Sequence, residues 1–385
     1  MNNARPMALR LLVPLVLLAV AALAAPLAAS AQTYQSEARA ALVVDFDTDA
    51  VLFAKDADRR IPPASMSKIM TMYVVFEQIR AGKLALTDEL PVSRAAWQMG
   101  GSKMFVKVDT RVKVEDLIRG VIIQSGNDAC LVLAEGIAGS EEAFVKLMNE
   151  RARAIGLTDS NFANTTGWPH PDHYMSVRDL ARLARRMIVD FPERYRVYSE
   201  REFTFGGIKQ GNRNPLLYRP VGADGLKTGH TDEAGYGLTA SAVRDGRRLI
   251  MVLAGLPTMR ARAQESERLL EWSFREFENY TLARAGQAVE AAEVWLGAAA
   301  TVPLHAGSDI KITIPRRSRD QIQAVAVYDG PIPAPIAAGQ RVGTMEVRLG
   351  DRKLGEGPLV AGVAVDRRNV FGRLAAVVGH LVTGK

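Results

Sequence analysis

The sequence predicts a mixed α/β domain, built on a mainly antiparallel sheet flanked by helices, followed by a small all-β domain. Three observations carry this expectation. Strand-like alternation gives way to helical periodicity and returns, between residues 41 and 277. Asp245-Gly246 joins two apolar runs as a hairpin. Beyond Leu282 the texture becomes short alternating runs separated by Gly and Pro, an all-β signature. A chain of 385 residues also exceeds what one core usually serves.

In chain order, Arg5 and Arg10 accompany the apolar run 11–27, which Pro14 and Pro26 interrupt, and Ala29-Ser30-Ala31 follows with small outer residues. Residues 1–31 therefore read as a cleaved secretory signal, with an uncleaved anchor as the alternative. Residues 41–46 and 51–54 are two short strands across an Asp-Thr-Asp turn. Residues 66–79 are apolar on nearly every face, the pattern of a helix buried on all sides, and Gly82 lies just beyond. Helical pieces follow at 117–123 and 129–137, separated by Ser125-Gly126-Asn127-Asp128, and another at 141–155. Ser176 and Asp179 resemble a capping box opening a helix to Ile188. Strands at 236–243 and 248–253 flank the hairpin turn, and 260–277 is an amphipathic helix. The first domain is placed at 32–282 and the β domain at 283–366, with strands at 310–314, 324–328 and 344–349; Pro331, Pro333 and Pro335 must be loop or edge.

Residues 367–385 form an amphipathic tail. On a helical wheel Phe371, Leu374, Val377, Val378, Leu381 and Val382 share one side, opposite Arg368, Asn369, Arg373 and His380. Such a segment is too short and charged to span a bilayer but suits the interface of an anionic membrane; docking on the β domain is the alternative.

Composition excludes several function classes. The formal charge of +7 falls to +5 once Arg5 and Arg10 are removed, too small over this length to imply a nucleic-acid partner. Cys130 is the only cysteine, so there is no intramolecular disulfide and no cysteine-rich metal site. His170 and His173 are interleaved with Pro169 and Pro171, with no third ligand nearby, and read as loop histidines. No metal or cofactor is expected.

Ser65-Met66-Ser67-Lys68 places a hydroxyl and an amine one turn apart at a helix start. A serine is a poor nucleophile until a neighbour takes its proton, and a desolvated lysine with a lowered pKa can do so. The helix N-terminus adds positive potential where negative charge would develop. Alone, this pattern is common. Here it is followed by Ser125-Gly126-Asn127 and then Lys227-Thr228-Gly229, the trio of β-lactamases and penicillin-binding proteins.

Pro63-Ala64-Ser65-Met66-Ser67-Lys68, Gln124 to Cys130, Phe203-Thr204-Phe205-Gly206-Gly207, Asn212-Arg213-Asn214 and Asp224 to Thr231 together resemble the low-molecular-mass serine D-Ala-D-Ala carboxypeptidases. The resemblance spans roughly residues 40–277, and the β domain with its amphipathic end is also similar to that family. Gly167-Trp168 departs from it: an aliphatic residue is expected after the glycine. The resemblance implies a penicillin-recognising serine acyltransferase (β-lactamase-like) fold. It implies Ser65 as nucleophile on the penultimate D-alanine carbonyl, Lys68 as its base, and Ser125 as proton relay to the leaving D-alanine. Asn127 would bond the substrate backbone, and the strand bearing Lys227, Thr228 and Gly229 would hold the terminal carboxylate side. Backbone N–H groups of Ser65 and His230 would form the oxyanion hole. Arg262 is a candidate for carboxylate recognition, a packing arginine being the alternative.

The expected activity is removal of the terminal D-alanine from peptidoglycan stem pentapeptides, with β-lactams as covalent inhibitors, in a periplasmic protein attached peripherally to the inner membrane. A class A β-lactamase would carry a glutamate on the loop after the second motif, and no Glu occurs between Glu150 and Glu193. A transpeptidase or endopeptidase with the same residues, and a catalytically silent cell-wall scaffold, remain the alternatives.

Overall fold

The computed structural model describes residues 34–369, so the expected signal and the tail beyond Asn369 lie outside the described residues. Strands β1 (Ala40–Asp45) and β2 (Val51–Lys55) form the first antiparallel pair. A 3-10 turn, Ala64–Ser67, then leads into α1 (Lys68–Arg80). The helix expected from residue 66 thus begins later, because its first turn is wound more tightly. Ser67 Oγ donates to Ala64 O at 3.0 Å, and Ala64 itself sits at φ +48°. From Lys68 to Phe76 every residue of α1 is buried, which makes it the central helix.

Around α1 lie the ribbon of β3 (Glu89–Pro91) and β4 (Arg111–Lys113), the short α2 (Arg94–Gln98), and α3 (Val114–Ile122), α4 (Asn127–Ala138), α5 (Glu141–Ala154), α6 (Val177–Asp190) and α7 (Pro192–Tyr195). Ser140 and Ser176 cap α5 and α6 by accepting the N–H of Ala143 and Asp179. The capping box expected at Ser176 is only half formed. Asp179 turns its carboxylate away to accept from Asp159 N–H and Ser160 Oγ, tying the preceding loop to α6.

After the ribbon β5 (Glu202–Phe205) and β6 (Ile208–Gly211), the strands β7 (Ala223–Thr231), β8 (Gly235–Arg244) and β9 (Arg247–Leu256) complete a five-stranded sheet. Its order is β2-β1-β9-β8-β7, and every pair is antiparallel. Asp245 and Gly246 turn between β8 and β9 with φ of +49° and +77°, the primed geometry that Asp-Gly favours. The amphipathic α8 (Met259–Glu276) and α6 both pack on β9.

The chain then passes without a loop into β10 (Phe277–Ala283), which pairs with β13 (Ile310–Pro315). The β region therefore starts at Phe277 rather than 283; no glycine or proline marks the change, so composition alone did not reveal it. β11 (Ala288–Trp295), β12 (Thr301–Ala306), β14 (Ile322–Tyr328), β15 (Ile332–Pro333), β16 (Arg341–Leu349) and β17 (Arg352–Ala361) form a six-stranded sheet in the order β14-β16-β17-β12-β11-β15. The proline series lies at its edge, in and around β15. This region has its own core of Val302, Leu304, Ile312, Ile314, Val347 and Leu359. Buried Asp45 links it to the first sheet, accepting from Arg247 Nε at 2.8 Å and Asn279 Nδ2 at 3.2 Å.

Arg367 and Arg368, expected in the tail helix, are instead tied to the β region. Arg367 bridges to Gly297 and donates to Ala334 O, and Arg368 donates to Gly297 O. Backbone pairing there outcompetes a helical turn. Among the described residues no helix is long and apolar enough to cross a membrane.

Candidate active site

Ser65 lies on the tight turn before α1, partly exposed, while Lys68 is wholly buried in the first turn of the helix. A 3-10 turn eclipses residues three apart, so the two side chains meet. Lys68 Nζ is 2.8 Å from Ser65 Oγ, 2.8 Å from Asn127 Oδ1 and 2.6 Å from Thr166 O. Burial pushes the Lys68 ammonium down from 10.5 to about 8, the charge of Arg213 adding to the effect and that of Asp128 opposing it. Once neutral, the amine keeps two N–H groups for Asn127 and Thr166, and its lone pair faces the serine hydroxyl.

Asn127 starts α4, and its side chain is held at both ends: Oδ1 accepts from Lys68 and Nδ2 donates to Gly100 O at 2.8 Å. Ser125, two residues earlier, is in the left-handed region at φ +62°, and its buried Oγ has no hydrogen-bond partner among the described residues. Strand β7 comes against the turn that carries Ser65 at Gly229, where an added Cβ would lie 2.8 Å from Pro63 O and 3.2 Å from Ala64 Cβ. Only a residue without a side chain permits that approach. Lys227 and Thr228 are buried on the same strand, and burial, with Lys68 and Arg213 nearby, holds the Lys227 ammonium well below its usual range. His230 is exposed and stacks on Tyr236 with ring centroids 3.9 Å apart.

Arg262, in the first turn of α8, is buried over the same Tyr236 ring and donates from Nη2 to Arg213 O. Its Nε has no partner among the described residues, and burial lowers its pKa to about 10. Arg213 reaches Ser102 Oγ at 2.6 Å. Lys68, Lys227, Arg213 and Arg262 thus share one region, and among the described residues none of them has an ion-pair partner. Lys68, Lys227 and Arg262 are buried and Arg213 is exposed, so positive charge gathers where an anion would be stabilised.

The model of the D-alanyl-D-alanine carboxypeptidase family matches residues 27–258. The chain belongs to that family. A second model, the C-terminal domain of penicillin-binding protein 5, matches residues 277–367, the β region found above. D-alanyl-D-alanine carboxypeptidase DacC of Escherichia coli (strain K12) is 41% identical over 346 residues, covering 88% of this chain and 86% of that protein. The structure of penicillin-binding protein 5 from Haemophilus influenzae superposes with a TM-score of 0.78 at 39% identity, over 87% of this chain and 99% of that one. Penicillin-binding protein D2 from Listeria monocytogenes, in its ampicillin-bound form, gives a TM-score of 0.58 at 30% identity over 63% of this chain and 98% of that one. Family membership agrees with the expected fold, a mixed first domain followed by a β domain.

Around Ser65 and Lys68, three residues had no role assigned from the sequence. Thr166 acts through its carbonyl, which no side-chain pattern signals. Arg213 stood in the quoted Asn-Arg-Asn motif but only the fold brings it beside Arg262. Asp128 is buried and accepts the backbone N–H groups of Met104, Phe105 and Val106, clamping the segment that follows Gly100. The histidine pair lies in the loop as expected: His173 is buried against Phe162, its Nδ1 accepts from Ala163 N–H, and burial lowers its pKa to about 4.

Proposed function

We propose that this protein is a serine D-alanyl-D-alanine carboxypeptidase that removes the terminal D-alanine from peptidoglycan stem pentapeptides through a Ser65 acyl enzyme. The observation that carries the reading is the buried Lys68 amine, 2.8 Å from the Ser65 hydroxyl and with its pKa lowered to about 8. Lys68 takes the hydroxyl proton as Ser65 Oγ attacks the penultimate carbonyl. The oxyanion rests on the N–H groups of Ser65 and His230, a reading supported by the close approach of β7 at Gly229. Ser125 passes a proton to the departing D-alanine nitrogen as the C–N bond breaks, and water then hydrolyses the ester. Lys227, Arg213 and Arg262, which have no ion-pair partner among the described residues, hold the terminal carboxylate with Thr228, and Asn127 bonds the acyl half of the peptide. A β-lactam acylates the same serine.

Residues 1–31 direct the chain across the cytoplasmic membrane in this reading, and the tail holds it peripherally on the inner membrane. The test is a pentapeptide ending in D-Ala-D-Ala, assayed for both free D-alanine and cross-linked product, with Ser65→Ala beside the wild type. Ser65→Ala removes one oxygen and is expected to lose D-alanine release and labelling by fluorescent penicillin together while melting at an unchanged temperature. Full labelling of that variant would place the nucleophile elsewhere.

A further inference from the structure

We propose that Trp168 is a specificity residue, its indole forming a wall against which the side chain of the stem residue preceding D-Ala-D-Ala packs, so that a long aliphatic side chain is preferred there. The inference rests on the carboxypeptidase reading and names what that site selects.

The backbone at Trp168 is fixed. Its N–H donates to Asn164 Oδ1 at 3.0 Å and Thr166 Oγ1 at 3.2 Å, its carbonyl accepts from Asn164 Nδ2 at 3.0 Å, and Pro169 follows. Gly167, at φ +79°, is pressed so closely on the nucleophile turn that an added Cβ would lie 2.4 Å from Ala64 C and 2.8 Å from Ser67 Oγ. On this rigid support the indole is left 48% exposed. An aromatic side chain held still and half in water is an inexpensive platform for binding, because little freedom remains to be lost.

Its position ties it to the acyl half of the substrate. A Cβ added to Gly101 would lie 2.9 Å from indole Cζ3 and 2.8 Å from Asn127 Nδ2, so ring edge and amide border the same point. Two residues before Trp168, Thr166 O receives the Lys68 amine. The indole therefore flanks Asn127, whereas the cations that hold the terminal carboxylate are on β7, α8 and the segment at Arg213. A peptide fixed by its carboxylate and bonded by Asn127 carries the preceding side chain to the indole. Its methylenes find an apolar surface there, which a glycine in the same place cannot use.

The experiment uses the full chain and two matched peptides, acetyl-Gly-D-Ala-D-Ala and Nα,Nε-diacetyl-Lys-D-Ala-D-Ala. The ratio of kcat/KM, lysyl over glycyl, is expected to fall about tenfold in Trp168→Ala and to be largely restored in Trp168→Phe. Penicillin labelling of each variant checks that the site has folded. An unchanged ratio, or equal loss on both peptides, would overturn the proposal by reducing Trp168 to a structural part of its loop. Wild-type protein that cleaves neither peptide would instead overturn the carboxypeptidase reading.

Discussion

The acylation rate should follow the deprotonation of Lys68, with a midpoint near pH 8 instead of the ordinary lysine range near 10.5. Burial of the amine among Ser65, Asn127 and Thr166, with no carboxylate bonded to it, disfavours the ammonium. With a pKa of about 8, roughly 1% of the amine is neutral at pH 6, about 10% at pH 7 and about 90% at pH 9. The second-order rate constant for fluorescent-penicillin labelling, measured at short exposure from pH 5.5 to 9.5, should climb close to tenfold per unit below 7 and level off above 9. A flat profile below pH 8, or a rise continuing past 10, would refute Lys68 as the base. The same shift affects stability with a defined sign. Because the folded pKa lies below the unfolded value, the unfolded chain binds more protons between about pH 8 and 10.5, so stability rises with pH across that window. The gain is about 3 kcal/mol relative to Lys68→Met, in which this titration is absent. Chemical denaturation of both proteins at pH 7.5 and 10.5 measures it, and a constant difference between them would contradict the buried-amine account.

Asp128→Ala should destabilise the first domain by about 3 kcal/mol, because it strips the acceptor from the N–H groups of Met104, Phe105 and Val106. Thermal melting checks this, and a shift within error would mean water replaces the carboxylate fully. Deleting the residues after Asn369 should move the protein from the membrane to the soluble periplasmic fraction with turnover of a small soluble peptide unchanged. Continued sedimentation with membranes would show that another part of the chain is the anchor.

What the sequence determined by itself was local. Strand alternation, the Asp-Gly turn and the all-round apolar run of α1 each depend on neighbours a few residues apart, so β1, β2, β8, β9, α1, α3 to α6 and α8 were legible to within a few residues, whereas the ribbons β3–β4 and β5–β6, strand β7 and the short helices α2 and α7 were not read. Ser65 and Lys68 were readable as a pair for the same reason, since three residues of turn place them together whatever the rest of the chain does. Tertiary structure decided everything that joins distant segments. Thr166 meets Lys68 across nearly a hundred positions, and it does so with a carbonyl that every residue possesses. Arg213 and Arg262 come together only because α8 returns beside the segment after β6, and the need for glycine at Gly229 shows only where β7 touches the turn that carries Ser65. The start of the β region and the pairing of Arg367 with Gly297 were invisible for a related reason: a strand is defined by its partner, and the partner is elsewhere in the chain.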